Sequence, residues 1–232
     1  MAHISLYRRY RPTSFDEVIG QGHIVRTLVN QIKTDNISHA YLFTGTRGTG
    51  KTTVARIFAR AINCENPVNG NPCGKCSACV ELQKPGNMDI LEIDAASNST
   101  VDEIRDLREK VKYPPVIGKY KVYIIDEVHM LSTSAFNALL KTLEEPPAHA
   151  IFILATTEKH KILPTILSRC QIYDFNRMKV ADTVEHLKYI ASKEGITAEE
   201  EALDVIAQKA DGAMRDALSI FDQVVSFCGT TL

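Results

Sequence analysis

The segment from Gly45 to Thr52 contains the residue types of a phosphate-binding loop, in the pattern G-x-x-x-x-G-K-[S/T]. Glycines let the backbone turn its N–H groups toward phosphate oxygens, and the start of the following helix adds partial positive charge. Lys51 can reach the β- and γ-phosphates of a nucleotide, and the Thr52 hydroxyl can bind Mg²⁺. The alternative is an ordinary glycine-rich turn between a strand and a helix. The candidate phosphate-binding residues are Gly45, Thr46, Arg47, Gly48, Thr49, Gly50, Lys51 and Thr52.

Two adjacent carboxylates, Asp126 and Glu127, follow the apolar run 122–125. Carboxylates at the end of an apolar strand are costly unless a cation or a catalytic task offsets them. We expect Asp126 to hold the magnesium ion, directly or through water, and Glu127 to act as the general base that polarises an attacking water. The alternative is an acidic pair that stabilises a helix N-terminus. We interpret the nearby His129 as a structural or supporting residue.

Four of the six cysteines lie close together with the spacing C-x₈-C-x₂-C-x₂-C. Four thiolates complete a tetrahedral coordination sphere, so the spacing predicts a structural zinc site. A redox pair or ordinary buried thiols are the alternatives. Cys170 and Cys228 are interpreted as small apolar packing residues. The candidate zinc ligands are Cys64, Cys73, Cys76 and Cys79.

The composition excludes several classes of protein. The 232 residues are 44% apolar, which is too apolar for a disordered chain, and no run is long enough to span a bilayer. With 27 Lys and Arg against 28 Asp and Glu, the chain lacks the positive charge of a protein that coats DNA. We therefore expect a cytoplasmic protein that binds no membrane and makes only local contacts to nucleic acid.

Short apolar runs alternate with amphipathic helical patterns through the first three quarters of the chain. Near-continuous apolar runs are typical of strands covered on both faces, as in a parallel sheet. The alternation predicts a doubly wound α/β domain over residues 1–177, with a cysteine module inserted at about 63–82. The predicted strands are 40–44, 90–94, 121–126, 151–155 and a weaker 171–175.

Helical patterns alone continue after about Asn176, around residues 184–190, 203–210 and 218–225. Gly195 is predicted to end the first of these helices, and Thr197 with Glu200 to form a capping box that begins the second. The sequence therefore predicts a small all-α domain over residues 178–232, joined to the α/β domain by a hinge near residues 177–179.

Taken together, these motifs resemble those of the ATPase subunits of bacterial sliding-clamp loaders, the tau/gamma subunits of DNA polymerase III, which are AAA+ proteins. The resemblance runs from residue 4 to about 227 and implies a P-loop AAA+ fold with a helical lid that uses ATP with Mg²⁺. The segments that add to the motifs above are Tyr7–Pro12, Phe15–Gln21, Leu154–Thr157, Ser168–Cys170 and Gly212–Ala217.

The same resemblance implies roles that the residues alone would not reveal. Thr157 resembles a sensor beside the γ-phosphate, and Arg169 resembles an arginine finger that acts on ATP bound by the neighbouring subunit. Arg215 resembles a lid residue that reaches the phosphates of its own site. Arg105 corresponds to a position that faces DNA, but Asn98 and Thr100 stand where other family members carry basic residues. The implied adenine-side wall is Tyr7–Pro12, including Arg11 and Pro12, together with Val18 and Ile19.

The implied function is that of the ATP-hydrolysing subunit that opens the sliding clamp and loads it onto primer-template DNA with the other clamp-loader subunits. Family members continue into a helical collar domain that this chain does not contain, so we expect a monomer or a weakly associating species. The alternatives are another AAA+ DNA-remodelling motor and a non-hydrolysing clamp-loader scaffold. The cysteine module argues against the first, and the intact phosphate loop and acidic pair argue against the second.

Overall fold

The computed structural model describes residues 4–97, 101–229 and 231–232, and its first part is built on a single parallel sheet. The strands lie in the order β2-β3-β4-β1-β5, and every neighbouring pair is parallel. The predicted five-stranded sheet is confirmed, including its weak fifth strand. Asn98 and Thr100 lie outside the described residues. The strands are β1 (Ala40–Thr44), β2 (Ile90–Asp94), β3 (Lys121–Asp126), β4 (Ala150–Thr156) and β5 (Gln171–Asp174).

Helices connect the strands and form the second part of the molecule. Within the described residues, no helix is long and apolar enough to cross a membrane. Short 3₁₀ turns cover Phe15–Glu17, Val128–Met130 and Lys159–Lys161. The α-helices are α1 (Leu6–Arg9), α2 (Gly22–Lys33), α3 (Lys51–Asn63), α4 (Ser77–Leu82), α5 (Val101–Val111), α6 (Thr133–Glu144), α7 (Pro164–Leu167), α8 (Val180–Glu194), α9 (Glu200–Lys209) and α10 (Met214–Cys228).

Two apolar layers cover the sheet, one on each face. Alternate strand residues point to opposite faces, so Tyr41 and Phe43 of β1 enter the layer formed with α2 and α3. Leu42 enters the other layer, which contains residues of α5 and α6. Strands β1, β3 and β4 are buried along almost their whole length. Coverage on both faces explains why these three strands are nearly continuous apolar runs in the sequence.

The parallel pairing brings the carboxyl ends of the strands to one edge of the sheet. Thr44 at the end of β1 pairs with Thr156 at the end of β4, and Asp94 at the end of β2 pairs with Asp126 at the end of β3. The loops that follow these strands therefore lie side by side. Helix α3 begins at Lys51, directly after the glycine-rich segment that follows β1.

Helices α8, α9 and α10 form a helical lid with its own apolar core, and Leu6 of α1 packs into the same core. Gly195 ends α8 with a φ of 69°, as predicted. The prediction that Thr197 begins α9 is wrong, because α9 starts at Glu200 after Glu199. The Thr197 carbonyl oxygen instead accepts the Leu232 N–H at 2.8 Å, which holds that segment in an extended bridge to the chain end. The division of the chain at residue 177 stays a prediction.

The Gln21 side chain links the α/β part to the hinge. It is fully buried, and its amide nitrogen donates to the carbonyl oxygens of Asn176 at 2.7 Å and Thr49 at 3.3 Å. Its side-chain oxygen accepts the Asn176 N–H at 3.1 Å. One amide group thus holds the glycine-rich segment and the chain entering the lid in fixed positions.

Replacing Gln21 with alanine should lower the free energy of unfolding by about 2–3 kcal/mol, because it removes three hydrogen bonds of a fully buried side chain. Urea denaturation followed by circular dichroism measures this change. Gln83→Ala, at an exposed position, is the matched control and should change stability by less than about 0.5 kcal/mol. Equal, small effects of the two substitutions would show that the Gln21 hydrogen bonds do not stabilise the fold.

Candidate functional site

The glycine-rich loop closes around the ammonium group of Lys51. Its Nζ donates to the carbonyl oxygens of Gly45 and Thr46, both at 2.8 Å, and the side chain is only 6% exposed. Burial lowers the pKa of Lys51, while the carboxylates of Glu127 and Asp126 oppose this shift. The loop therefore carries a buried positive charge at its centre, as a phosphate-binding site requires.

Two glycines allow this loop to pack closely against its surroundings. Gly45 has a φ of +144°, and a Cβ placed on it would lie 2.6 Å from the carbonyl oxygen of Phe175. Gly48 has a φ of +78°, and a Cβ there would lie 2.8 Å from the Cβ of Ala213 in the lid. Glycine at position 48 thus lets the lid contact the loop directly.

The predicted magnesium ligands lie together beside the loop. The Thr52 hydroxyl donates to Asp126 Oδ2 at 2.7 Å, and Asp126 Oδ1 accepts the Glu127 N–H at 2.9 Å. Asp94, which sequence reasoning did not single out, pairs in register with Asp126 and lines the same cavity. The available signal was that Asp94 ends its own apolar run, as Asp126 does. A hydroxyl and carboxylates are ligands that Mg²⁺ prefers.

Glu127 is held by the residues that follow β4. Its Oε2 accepts a hydrogen bond from Thr157 at 3.1 Å, and His129 Nδ1 lies 3.4 Å from the same oxygen and 2.8 Å from Thr156 Oγ1. The imidazole is buried, which agrees with a supporting role. Glu127 has a φ of +50°, a conformation that costs a non-glycine residue about 1–3 kcal/mol. The surrounding contacts thus hold the Glu127 carboxylate beside the phosphate loop, on a backbone in a strained conformation.

A cavity of about 450 Å³ leads from the phosphate loop into the groove between the α/β part and the lid. This volume is within the range of small-molecule sites. Gly45 and Thr46 do not line the cavity, since their carbonyl groups face Lys51. The predicted residues that line it are Arg47, Gly48, Thr49, Gly50, Lys51, Thr52, Asp126, Glu127, Arg215, Arg11, Pro12, Val18 and Ile19, with Tyr7 and Tyr10 from the same adenine-side segment.

The lid contributes cavity residues that sequence reasoning missed. They include Met178, Met214 and Leu218, whose apolar side chains look like ordinary helix core in the sequence. His186 also lines the cavity, and burial lowers its pKa, which favours the neutral imidazole. The far end of the cavity is therefore mainly apolar, whereas its other end is formed by the phosphate loop.

A second cleft of about 450 Å³ adjoins this cavity, and we call it the arginine cleft. The guanidinium carbons of Arg215 and Arg8 lie 5.1 and 5.7 Å from the ring centroid of Tyr7. Arg11 donates from Nε to Thr53 Oγ1 at 3.3 Å. The arginine cleft is lined by Tyr7, Arg8, Arg11, Arg56 and Arg215.

Arg169 lies at the opposite edge of the sheet from the phosphate loop. Gln171, two residues further on, pairs with Tyr41 near the start of β1, whereas Gly45 follows the end of β1. At about 3.3 Å per residue along the strand direction, the positions of Tyr41 and Gly45 are roughly 13 Å apart. Arg169 pairs with Glu144 at 2.9 Å and does not line the cavity that the described residues form. Arg169 is therefore separated from the candidate nucleotide site of its own chain.

Arg105 lies on α5 with an exposed side chain. Its guanidinium is 3.4 Å from Asp102 Oδ1 in an exposed pair one helical turn apart. Such a pair contributes little to stability. Arg105 is thus accessible to a partner, although it has no contact with the cavity.

The sulfur atoms of the four clustered cysteines lie within 4.8 Å of one another. The Sγ atoms of Cys64 and Cys76 are 3.9 Å apart, and those of Cys73 and Cys79 are 4.0 Å apart. Tetrahedral zinc with Zn–S bonds of about 2.3 Å requires sulfur separations of roughly 3.8 Å. A disulfide requires about 2 Å. The cluster is therefore compatible with zinc.

Backbone N–H groups donate to the sulfur atoms of Cys64, Cys73 and Cys76. Burial raises the pKa of Cys64 and Cys79, whereas the pKa of Cys73 is lowered. Cys73 Sγ accepts from the N–H groups of Lys75 at 3.4 Å and Cys76 at 3.3 Å, which lowers the pKa of Cys73 to about 6. Outside the cluster, burial raises the pKa of Cys170 to about 12, as expected for a packed thiol. The interpretation of Cys228 as a packing residue is wrong, because it is exposed near the end of α10.

Comparisons with known proteins agree with this geometry. The family model described as DNA polymerase III, delta subunit, matches residues 20–179, and the model for the ATPase lid domain of the DNA polymerase III clamp loader subunit matches residues 182–230. The chain is 56% identical to the DNA polymerase III subunit tau of Bacillus subtilis, over all of this chain and 41% of that protein. It is 47% identical to subunit tau of Escherichia coli, over 97% of this chain and 35% of that protein.

A solved structure of the Thermotoga maritima RuvB Holliday junction branch migration motor has the same fold. Its TM-score is 0.69 at 23% identity, over 94% of this chain and 65% of that one, a likeness that concerns the fold alone. The chain spans about two fifths of the length of the first tau relative and about a third of the second. Both family models describe DNA polymerase III subunits, and the lid-domain model and the tau relatives identify the type. The chain belongs to the clamp-loader subunits of bacterial DNA polymerase III of the tau/gamma type, a family of AAA+ proteins.

Proposed function

We propose that this chain is the ATP-hydrolysing part of a clamp-loader subunit, which opens the sliding clamp and loads it onto primer-template DNA. The observation that carries the proposal is the contact series from Thr52 through Asp126 and Glu127 to Thr157 beside the phosphate loop. This series brings a metal-binding pair and a general base next to a buried lysine. Such a combination serves phosphoryl transfer to water.

Each of these residues has a distinct task in the proposed reaction. Thr52 and Asp126 would hold Mg²⁺, whose charge offsets that of the phosphates. Lys51 binds the β- and γ-phosphates from the centre of the loop. Glu127 accepts a proton from the attacking water, and Thr157 keeps the Glu127 carboxylate oriented through its 3.1 Å hydrogen bond.

The lid senses the nucleotide in this proposal. Apolar side chains at the far end of the cavity, such as Val18 and Leu218, provide a surface for the adenine ring, and Arg215 approaches the phosphates from the lid. Because Gly48 lies directly against Ala213, a change in the loop on binding is passed to the lid by steric contact. Nucleotide binding would thereby alter the angle of the lid.

The position of Arg169 argues that the active site is completed between subunits. Arg169 lies at the end of the sheet away from its own cavity, which supports a role at a nucleotide bound by a neighbour. The proposed partners are the other clamp-loader subunits, the sliding clamp and primer-template DNA, in the cytoplasm. The isolated chain is proposed to be monomeric or weakly associating and to hydrolyse ATP slowly.

The decisive experiment is ATP turnover by the full-length protein with its companion subunits. We expect the sliding clamp with primed DNA to stimulate turnover, and four-way junction DNA to have no effect. Stimulation by junction DNA alone would favour a DNA-remodelling motor. Absence of any turnover, with ATP still bound, would favour a non-hydrolysing scaffold.

Glu127→Gln should leave the affinity for an ATP analogue within about threefold of normal and lower turnover roughly 10²–10⁴-fold, because only the proton acceptor is lost. Lys51→Ala should instead weaken analogue binding by roughly 100-fold, because it removes a buried charge. Titration with a fluorescent analogue and steady-state turnover separate the two effects. Glu145→Gln, at an exposed position, is the control. Normal analogue affinity in Lys51→Ala would contradict the assignment of the phosphate site.

Arg169→Ala should lower turnover of the assembled complex by roughly 10³-fold, as expected for a charge that stabilises the transition state from a neighbouring subunit. The analogue affinity of the isolated chain should not change, because Arg169 lies outside the cavity. Arg108→Ala, on the exposed face of α5, is the matched control in the isolated chain. A lower analogue affinity of isolated Arg169→Ala chains would show that Arg169 acts within its own chain.

We propose further that Cys64, Cys73, Cys76 and Cys79 hold one structural Zn²⁺. The sulfur separations of 3.9 and 4.0 Å and the backbone N–H donors support this assignment. The ion would connect the end of α3 to α4 and stiffen the cysteine module.

Cys76→Ser should reduce bound zinc from about one ion per chain to a small fraction and lower the melting temperature by roughly 5–10 °C. Elemental analysis of protein purified without chelator measures the zinc, and calorimetry measures the melting. Cys228→Ser removes an exposed thiol outside the cluster and should change neither quantity. Absence of zinc from the unmodified protein would refute the assignment.

A further inference from the structure

The arginine cleft holds more positive charge than its neighbours neutralise. Arg56 forms a paired contact with Glu92 through Nε at 2.7 Å and Nη2 at 2.5 Å. Among the described residues, it is the only arginine of the cleft in an ion pair. Arg8, Arg11 and Arg215 contact hydroxyl groups or the ring of Tyr7, and they have no ion-pair partner within the part of the chain that the structure describes. Guanidinium groups that share a cleft repel one another, so this cleft favours an anionic partner.

The opposite edge of the molecule presents a carboxylate beside Arg169. Glu144 is the last residue of α6, and its Oε1 lies 2.9 Å from the Arg169 guanidinium. Both side chains remain accessible, at 32% exposure for Arg169 and 45% for Glu144. Neither residue touches the cavity of its own chain. Any partner that receives Arg169 must therefore also accommodate Glu144.

The arginine cleft and the Arg169–Glu144 pair are complementary if Arg169 acts on a nucleotide bound by a neighbour, as the proposed function requires. A carboxylate brought beside a triphosphate is repelled unless cations lie close to it. The arginine cleft supplies those cations, because it adjoins the nucleotide cavity and shares Tyr7, Arg11 and Arg215 with it. We infer that the arginine cleft of one subunit receives Glu144 of an adjoining copy of this chain, which frees Arg169 for the phosphates.

This inference describes an exchange of ion pairs and rests on the proposed function. In the separate chain Glu144 forms an ion pair with Arg169. In the assembly Glu144 instead pairs with the arginine cleft of the neighbouring copy, and Arg169 is left without its partner. The arginine finger is therefore available only where a neighbour offers a filled nucleotide cavity and its adjoining cleft. Arg8 is the best residue for a test, since it is exposed, has no acidic partner among the described residues and does not line the nucleotide cavity.

Charge reversal of both partners provides the experiment. Glu144→Arg, Arg8→Glu and the double variant are made in the full-length protein, assembled with its companion subunits, clamp and primed DNA. Each single reversal should lower ATP turnover roughly tenfold, in line with measured couplings between close interfacial charges. The double variant should recover to within about threefold of normal. Glu81→Arg, which alters a partly exposed carboxylate paired with Lys84, is the control and should have no effect.

Analogue affinity of each isolated variant is measured in parallel, and turnover is compared at saturating ATP, so that a change in nucleotide binding is not counted as a loss of coupling. Turnover in the double variant no higher than in the single variants would overturn the inference, as would normal turnover in either single variant. Arg169→Ala separates this failure from a failure of the proposed function. If Arg169→Ala loses turnover while the reversals show no coupling, only the ion-pair exchange is wrong. If Arg169→Ala keeps full turnover, action between subunits is itself wrong.

Discussion

The hydrogen bond between Thr52 and Asp126 joins the two halves of the site, and the order of the strands makes it possible. Strands β1 and β3 are not neighbours, because β4 lies between them. Their carboxyl ends are thus about 10 Å apart. The glycine-rich loop after β1 must cross the end of β4 to bring α3 and Thr52 to the end of β3. As a result, β4 brings Thr157 to Glu127, and it brings Thr156 to His129, which lies beside Glu127.

Charge and strain at this edge are balanced locally. The ammonium of Lys51 is buried among backbone carbonyl groups, and the carboxylates of Asp126 and Glu127 are the charges that oppose the lowering of its pKa. Glu127 keeps its unfavourable backbone conformation because its backbone follows β3 directly and its carboxylate accepts the hydrogen bond from Thr157. A preorganised arrangement of this kind can stabilise developing charge without rearranging during the reaction.

The sequence was sufficient to predict those features that depend on local residue patterns. The strand bounds 40–44, 90–94 and 121–126 agree with β1, β2 and β3. Strands β1 and β3 are buried and form near-continuous apolar runs, whereas the partly exposed edge strand β2 could still be recognised from Ile90, Leu91 and Ile93. Helix α5 was missed, since only Val101, Ile104, Leu107 and Val111 are apolar in a highly charged segment. The start of α9 was wrong because backbone pairing between Thr197 and the chain end, a long-range contact, overrode a local capping pattern.

In the candidate site, too, only features with a local residue pattern could be predicted from the sequence. The phosphate loop, the acidic pair and the cysteine cluster have fixed spacings and could be recognised from the sequence. Arg8, Arg56 and His186 have no such signal, because only tertiary packing brings α1, α3 and the lid together. The contact between Gly48 and Ala213 was equally hidden, although it connects the loop to the lid. Sequence patterns thus identified the chemistry, whereas the connections between parts required the structure.

A crystal structure of the protein with Mn²⁺ and a non-hydrolysable ATP analogue tests the central claim most directly. We expect an anomalous peak from the metal within about 2.5 Å of Thr52 Oγ1, with Asp126 as a direct or water-mediated ligand. The β- and γ-phosphates should contact Lys51, and the adenine should lie against Val18 and Leu218. A metal or triphosphate bound elsewhere on the molecule, with this cavity unfilled, would contradict it.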